Sequence, residues 1–434
     1  MFRDLGVFIE MLAPFVYLTS GFFQILALPL LLFVSILCVF FPARKLPRFV
    51  WGVDPIINIK YLSKALQRRF ESKTVVFEVY DINNRNDFDD VFMENLRIPY
   101  FIKSLLSHVK YIFWGDIFCF SFNGGFLGRL KILSHAEPYF YRIAGKKIVI
   151  WPYGSDSYVY GKVRDPSSQN CLMISYPLYG RRFATVELRV NRWRRHADIL
   201  LSHTMSLDGI GRWDVLTSSY LIIDKDQWTS DQSATDKAKE NIVICHSPNH
   251  RGAKGSEFII SAVQRLKDEG YPVELRLLEG VPNHEVKRVL TEEADILVEQ
   301  LILQGHGLSA LEGMASGLPV ISNISDVDCF KLFRRYSFFD ECPLVSGTPE
   351  NIVDVLRSLV SDANLRKRLG EAGRQYVEKY HSYEMGLYVF EIIVRKIWLK
   401  EDVDLMNIFH PILGEYPKRK PKIEHPLVEN RIVD

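Results

Sequence analysis

A chain of 434 residues, 47% hydrophobic and 24% charged, has the composition of a globular protein with room for two domains. A net charge of +2 excludes a general case for nucleic-acid binding, and no tract is repetitive or compositionally biased. The six cysteines, Cys38, Cys119, Cys171, Cys245, Cys329 and Cys342, are scattered with no Cys-x-x-Cys pair, which excludes a zinc ribbon or a disulfide framework and suits a reducing compartment.

Residues 22–41 carry no charge and are long enough to cross hydrocarbon as a helix, with Pro29 as a tolerated kink. Arg44, Lys45 and Arg48 follow directly, whereas Arg3, Asp4 and Glu10 precede the run. That asymmetry places the basic flank, and the domain behind it, on the cytoplasmic side. No basic n-region or small-residue cleavage site marks a signal peptide. Residues 1–45 therefore read as a membrane anchor, either a single span or a half-inserted hairpin; the other reading is a buried core helix.

Strand and helix patterns then alternate, which predicts a parallel α/β sheet over 46–223. Strands are predicted at 47–51, 73–79, 116–122, 147–151 and 198–201. Helices are predicted at 55–69, where Ile56, Ile59, Leu62 and Leu66 form one stripe, and at 99–113, 137–144 and 190–197. Residues 81–94 read as an acidic loop. The polar stretch 224–240 reads as a linker. A second α/β unit follows over 241–382, with strands at 241–246, 272–278, 294–300 and 318–322 and helices at 256–269 and 283–290. The chain from 349 to about 400 reads as helical, and 401–434 as a basic tail holding Lys418, Arg419, Lys420 and Lys422. That tail is either a solvated end or a contact for an anionic membrane surface.

Two stretches carry chemistry. His246-Ser-Pro-Asn249-His250-Arg251-Gly-Ala-Lys254-Gly255-Ser256 joins a strand to a helix, where backbone N–H groups gather an anion, and Arg251 and Lys254 add two cations. Gln304-Gly305-His306-Gly307-Leu308 opens a short helix carrying Glu312, followed by Gly317-Leu318-Pro319-Val320-Ile321 and a strand. Its glycines allow a ligand to approach the backbone, and Glu312 is at a reach suited to sugar hydroxyls.

This second stretch resembles the sugar-donor signature of GT-B glycosyltransferases, in particular the family 4 group: a Glu, seven residues, a second Glu, a helix of small residues and Gly-x-Pro-Val-Ile. The second Glu is Glu312. The first is replaced by Gln304, which keeps hydrogen-bonding capacity without charge. The resemblance is clear over about 241–385 and weaker over 47–222. It implies two Rossmann-like domains facing a cleft, behind the N-terminal membrane-anchoring or transmembrane helix. It also implies a last helix, 383–400, that crosses back to the first domain. In such an enzyme Glu312 holds the ribose of a nucleotide-diphosphate sugar, and Arg251 and Lys254 hold the diphosphate. Gly255, Asn249, Gln304 and the Gly305, Gly307 and Leu308 backbone complete the donor site. Resemblance further implies a retaining reaction with no metal and no cofactor beyond the sugar donor.

Other candidates are less specific. Gly154-Ser155-Asp156 follows a strand, and Asp156 either closes an Asx turn or orients a hydroxyl in the cleft. Gly52 and Asp54 lie in the first strand-to-helix loop; Gly52 would permit close approach, and Asp54 reads better as the cap before Pro55 than as a cleft residue. His203 is a further cleft candidate, and His306, inside the signature turn, a catalytic one. No histidine spacing suggests a metal site. Gly305-x-Gly307-x-x-Ala310 with Asp326 matches the dinucleotide fingerprint formally, but it lies beyond its strand and late in its unit, whereas that fingerprint opens a fold.

The expected protein is a membrane-anchored, cytoplasm-facing glycosyltransferase with a nucleotide-sugar donor and a lipid-linked or glycan acceptor. A silent scaffold of the same fold and a sugar-nucleotide epimerase are the alternatives.

Overall fold

The computed structural model describes residues 21–80, 83–94, 98–202, 204, 207–217, 221–229, 241–325 and 328–428. The predicted linker is thus described only up to 229.

The first unit is built on β1 (Phe49–Val53), β2 (Ser72–Val76), β3 (Asp90–Val91), β4 (Ile117–Phe120), β5 (Lys147–Ile150) and β6 (Ile199–Leu200). All pair in parallel, in the order β3-β2-β1-β4-β5-β6. Short runs of branched and aromatic residues make most of these strands, and burial on both faces explains why β1 and β4 read as continuous apolar segments. Their side chains alternate between two cores. Phe49, Trp51, Cys119, Val149 and Trp151 face one, and Val50, Val53, Phe118, Phe120 and Ile150 the other. The first face is covered by α2 (Ile57–Leu66), the second by α3 (Tyr100–Trp114), α4 (Leu133–Ile143) and α7 (Phe183–His196).

The second unit contains β7 (Ile242–His246), α9 (Arg251–Lys254), α10 (Ser256–Asp268), β8 (Val273–Leu277), α11 (Asn283–Arg288) and β9 (Ile296–Gln300). It continues through α12 (Leu308–Ala315), β10 (Val320–Ser322), α13 (Asp328–Tyr336), β11 (Val345–Ser346), α14 (Ile352–Ser361) and α15 (Ala363–Tyr380). Its five strands are parallel in the order β11-β10-β9-β7-β8. Two doubly wound parallel sheets in one chain are the GT-B layout. The last helix, α16 (Tyr383–Ile397), returns to the first unit. Its Phe390 ring packs 5.9 Å from Phe49 and 5.1 Å from Trp51, and Arg68 and Arg69 pair with Glu384 and Glu391.

Several elements differ from the sequence reading. The two-residue strands β3 and β11 are too short to show a period, and β3 falls within the predicted acidic loop. Helix α5 (Pro166–Ser175) starts at Asp165, whose side chain accepts from the N–H groups of Ser167 and Ser168; its apolar residues form no stripe, so periodicity misses it. It is followed by the single turns α6 (Pro177–Arg181) and, after β6, α8 (Leu207–Ile210). Helix α4 begins before Glu137 and carries Pro138 inside it. The solvated-tail reading is corrected as far as residue 428. Tyr416 and Ile423 are buried, and Lys379 donates to the carbonyls of Pro417 and Pro421 at 3.1 and 3.0 Å.

The apolar helix α1 (Gly21–Cys38) lies along the first unit. Gln24, Ala27, Leu31, Val34, Ser35 and Cys38 form its buried stripe. Gln24 accepts from the Ile132 N–H at 2.8 Å, and the Cys38 thiol approaches the Ile112 carbonyl at 3.7 Å.

Candidate functional site

In doubly wound sheets, ligands bind beyond the carboxyl ends of the strands where the strand order reverses. In the second sheet this point lies between β7 and β9. His246 closes β7: its Nδ1 is 2.7 Å from the Val298 carbonyl and its Nε2 2.8 Å from Ser256 Oγ. Burial pushes this imidazole down to about 4, so it is neutral at physiological pH and ties β7, β9 and α10 together. The chain then makes the single turn α9 and enters α10 through Gly255, whose φ of +71° is left-handed.

Lys254 points into the switch point. Its ammonium pairs with the carboxylate of Glu299, at the end of β9, and donates to Gln300 Oε1 at 2.8 Å. Glu299 also accepts from Ser322 Oγ at 2.9 Å, the Gly307 N–H at 3.2 Å and Ser309 Oγ at 3.3 Å. Burial would raise this carboxyl, but the Lys254 charge and the hydrogen bonds outweigh it and hold it below the usual range. The Gly305 N–H donates to the Asn323 carbonyl at 2.8 Å, and the Gly305 carbonyl accepts from Gln300 Nε2 at 2.9 Å. The Gly305 and Gly307 N–H groups, placed in the donor site by resemblance, are thus both engaged within the protein. Sequence reading passed over Glu299; the available signal is a carboxylate near the end of an otherwise apolar buried strand, Ile-Leu-Val-Glu-Gln.

Arg251, three residues before Lys254 on the same turn, pairs with different carboxylates. It is partly exposed and pairs with Glu257 at 2.7 Å and Glu279 at 2.8 Å. With Gly255 and Gln304 it lines a cavity of about 800 Å³ between α5 of the first unit and α9 and α10 of the second, which Asn170 and Asn323 also face. Asn249 is exposed in the loop before α9.

Glu312 lies apart from this cavity. It is 5% exposed on α12, hydrogen-bonded to Asn283 and close to Tyr61 of the first unit. Burial pushes its carboxyl up to about 7, with the Asn283 bond opposing. Leu308, half-buried at the start of the same helix, packs against the core that both units share. His306 requires a correction. It is 1% exposed, stacked on Phe339 at 6.3 Å and edge-on to His381 at 6.1 Å. An imidazole inside that aromatic cluster, with burial lowering its pKa, packs the signature turn and does not face the cavity.

The first sheet reverses between β1 and β4. There Asp54 accepts from Ser121 Oγ and from Asn123 Nδ2 at 2.9 Å, with Arg129 at 3.7 Å, and Asn123 donates to the Tyr153 hydroxyl at 2.8 Å. The cap reading of Asp54 is corrected: the N-cap of α2 is Ile56, with no side-chain cap. Gly52 is also corrected. It sits inside β1, where a Cβ would collide with the Val75 carbonyl of β2, so its smallness serves strand packing and not ligand approach. Asp156 is fully buried and accepts from the N–H groups of Phe122 (3.0 Å), Tyr153 (3.0 Å) and Gly154 (2.9 Å). It braces the loop that holds Gly154, at a φ of +139°, and half-buried Ser155. His203 and Asp326 lie outside the described residues.

Residues 264–376 match the family model for glycosyl transferases group 1. Among solved structures the chain is similar to the wall teichoic acid polymerase TagF, at 12% identity and a TM-score of 0.41, over 88% of this chain and 98% of that one. It is also similar to the catalytic domain of starch synthase IV from Arabidopsis thaliana bound to ADP and acarbose, at 9% identity and a TM-score of 0.45, over 82% and 99%. A third is the UDP-GlcNAc 2-epimerase from Neisseria meningitidis bound to UDP-GlcNAc, at 13% identity and a TM-score of 0.37, over 82% and 99%.

Proposed function

We propose that this chain, a GT-B glycosyltransferase carrying a group 1 domain in its second unit, moves a sugar from a nucleotide-diphosphate sugar to a lipid-linked or cell-surface glycan acceptor at a membrane. The observation that carries the reading is Lys254, a cation whose side chain is 13% exposed at the second switch point, the place where this architecture receives its ligand; on binding it exchanges its pairing with Glu299 for the diphosphate.

In the proposed reaction the bond between the sugar's anomeric carbon and the β-phosphate oxygen breaks. The nucleoside diphosphate leaves with the electron pair, and an acceptor hydroxyl oxygen bonds the same carbon while its proton passes to the departing phosphate oxygen. Lys254 stabilises the charge growing on the leaving diphosphate, and Arg251 at the cavity wall adds a second cation. By resemblance Glu312 holds the ribose, beyond the cavity that Arg251, Gly255 and Gln304 line. Gln304, with its uncharged amide, faces the sugar in the cavity. The polar network of Asp54, Ser121, Asn123 and Tyr153 across the cleft receives the acceptor. By resemblance the outcome is retention without a metal.

The test is turnover. Solubilised full-length protein with membrane lipids is given UDP-, GDP- and ADP-sugars, and nucleoside diphosphate release is measured against a Glu312→Ala control. Release from one sugar nucleotide, abolished in the control, establishes the reaction and names its sugar. Binding without release of any product favours a silent scaffold, and release without an acceptor, giving an inverted sugar epimer, favours an epimerase.

A further inference from the structure

Helix α1 has two unlike faces. Its inner stripe is fixed to the first unit from end to end, by Gln24 on the Ile132 N–H near one end and Cys38 against Ile112 at the other. Its outer face shows Phe22, Phe23, Ile25, Leu26, Leu30, Leu32, Phe33 and Ile36 to solvent, each more than 40% exposed, and Phe40 and Phe41 beyond it are more exposed still. Contiguous exposed apolar surface of this kind marks an interaction face.

Two neighbouring features define what covers it. First, α3, which also exposes the apolar Ile102 and Leu106, meets the end of the segment where Phe41 packs on Phe113 at 5.7 Å. Second, exposed cations sit at both ends of the helix. Lys131 is next to the Gln24 anchor point, and Lys45 and Arg142 lie by the Cys38 end, where the 38–44 segment meets Ile143 and Lys146. An uncharged apolar strip bounded by Lys and Arg complements an acyl layer under anionic headgroups. A helix crossing the bilayer would have to leave the domain, taking Gln24 and Ser35 into hydrocarbon and stripping the inner stripe from its core.

We propose that α1 lies in the plane of an anionic membrane leaflet, buried on its outer face only, and docks the first unit onto that leaflet without spanning the bilayer. This rests on the membrane reading above and narrows it to one geometry.

The experiment places single nitroxide labels on full-length protein reconstituted with vesicles of mixed phosphatidylglycerol and phosphatidylcholine. Leu26→Cys, Leu30→Cys, Phe33→Cys and Phe40→Cys report the outer face, and Ser35→Cys the inner stripe. Depth is read from collisions with oxygen and with a water-soluble nickel chelate. The expected result is one shared shallow depth for all four outer positions, with the Ser35 label shielded from both quenchers. Depth that peaks at Leu30 and falls towards both ends, with the Ser35 label in lipid, would show a spanning helix; that overturns the in-plane geometry and leaves membrane attachment standing. Labels that meet no lipid, whether because a second copy covers the face or for any other reason, overturn both.

Discussion

Lys254 and Glu299 form an ion pair at the meeting of β7 and β9, with side-chain exposures of only 13% and 1%. A pair this dry is sustained by its surroundings, here Gln300, Ser309, Ser322 and the Gly307 N–H. Removing one partner leaves the other charge unanswered. Lys254→Ala is expected to destabilise the protein by about 3 to 5 kcal/mol. The double variant Lys254→Ala with Glu299→Gln should recover most of that stability and none of the turnover. Denaturant unfolding and nucleoside diphosphate release on the same samples check both halves.

Glu312 gives stability a pH dependence of defined sign. Its folded carboxyl is raised to about 7 by burial, against an unfolded value near about 4.3. The stability held by a raised carboxyl is fully present below the unfolded value and is lost as pH rises through the folded one. Wild type should therefore lose up to about 4 kcal/mol from this group between about pH 4 and 8, and Glu312→Gln should flatten that part of the curve. Melting temperatures of both proteins across the range decide it; parallel curves would place the Glu312 carboxylate in a polar environment.

Asp156 is expected to behave as a brace. Asp156→Ala leaves the buried N–H groups of Phe122, Tyr153 and Gly154 without their acceptor. The loss should be at least about 3 kcal/mol, and Asp156→Asn, which keeps one carbonyl oxygen, should lose less. If instead Asp156→Ala folds with wild-type stability and only turnover falls, the residue works on substrate.

Gly370 on α15 lies against the backbone of Gly317, where a Cβ would collide with the Gly317 carbonyl oxygen. Gly370→Ala should push α15 away from the turn that follows α12 and cost about 1 to 3 kcal/mol. Chemical unfolding measures it; an unchanged midpoint would mean that the two backbones part freely.

The sequence by itself determined the two parallel α/β units, because apolar strand runs and helix stripes alternate with the periods that local geometry imposes. It also determined where the Glu312 helix and the Arg251–Lys254 turn fall along the chain, since glycines, proline and flanking strands punctuate them locally. Elements with weak or brief patterns, α5, β3 and β11, were not legible. The partners of the charged groups were equally hidden. Nothing local in Lys254 says that Glu299 will neutralise it, nor in Asp54 that Ser121 and Asn123 will take its oxygens in place of a helix end. Those contacts join residues 45 and more apart in the chain. Only the strand orders β7-β9 and β1-β4 bring them together. The same holds for α1: its apolarity is written in the sequence, but which of its faces is buried was decided by the domain it packs against.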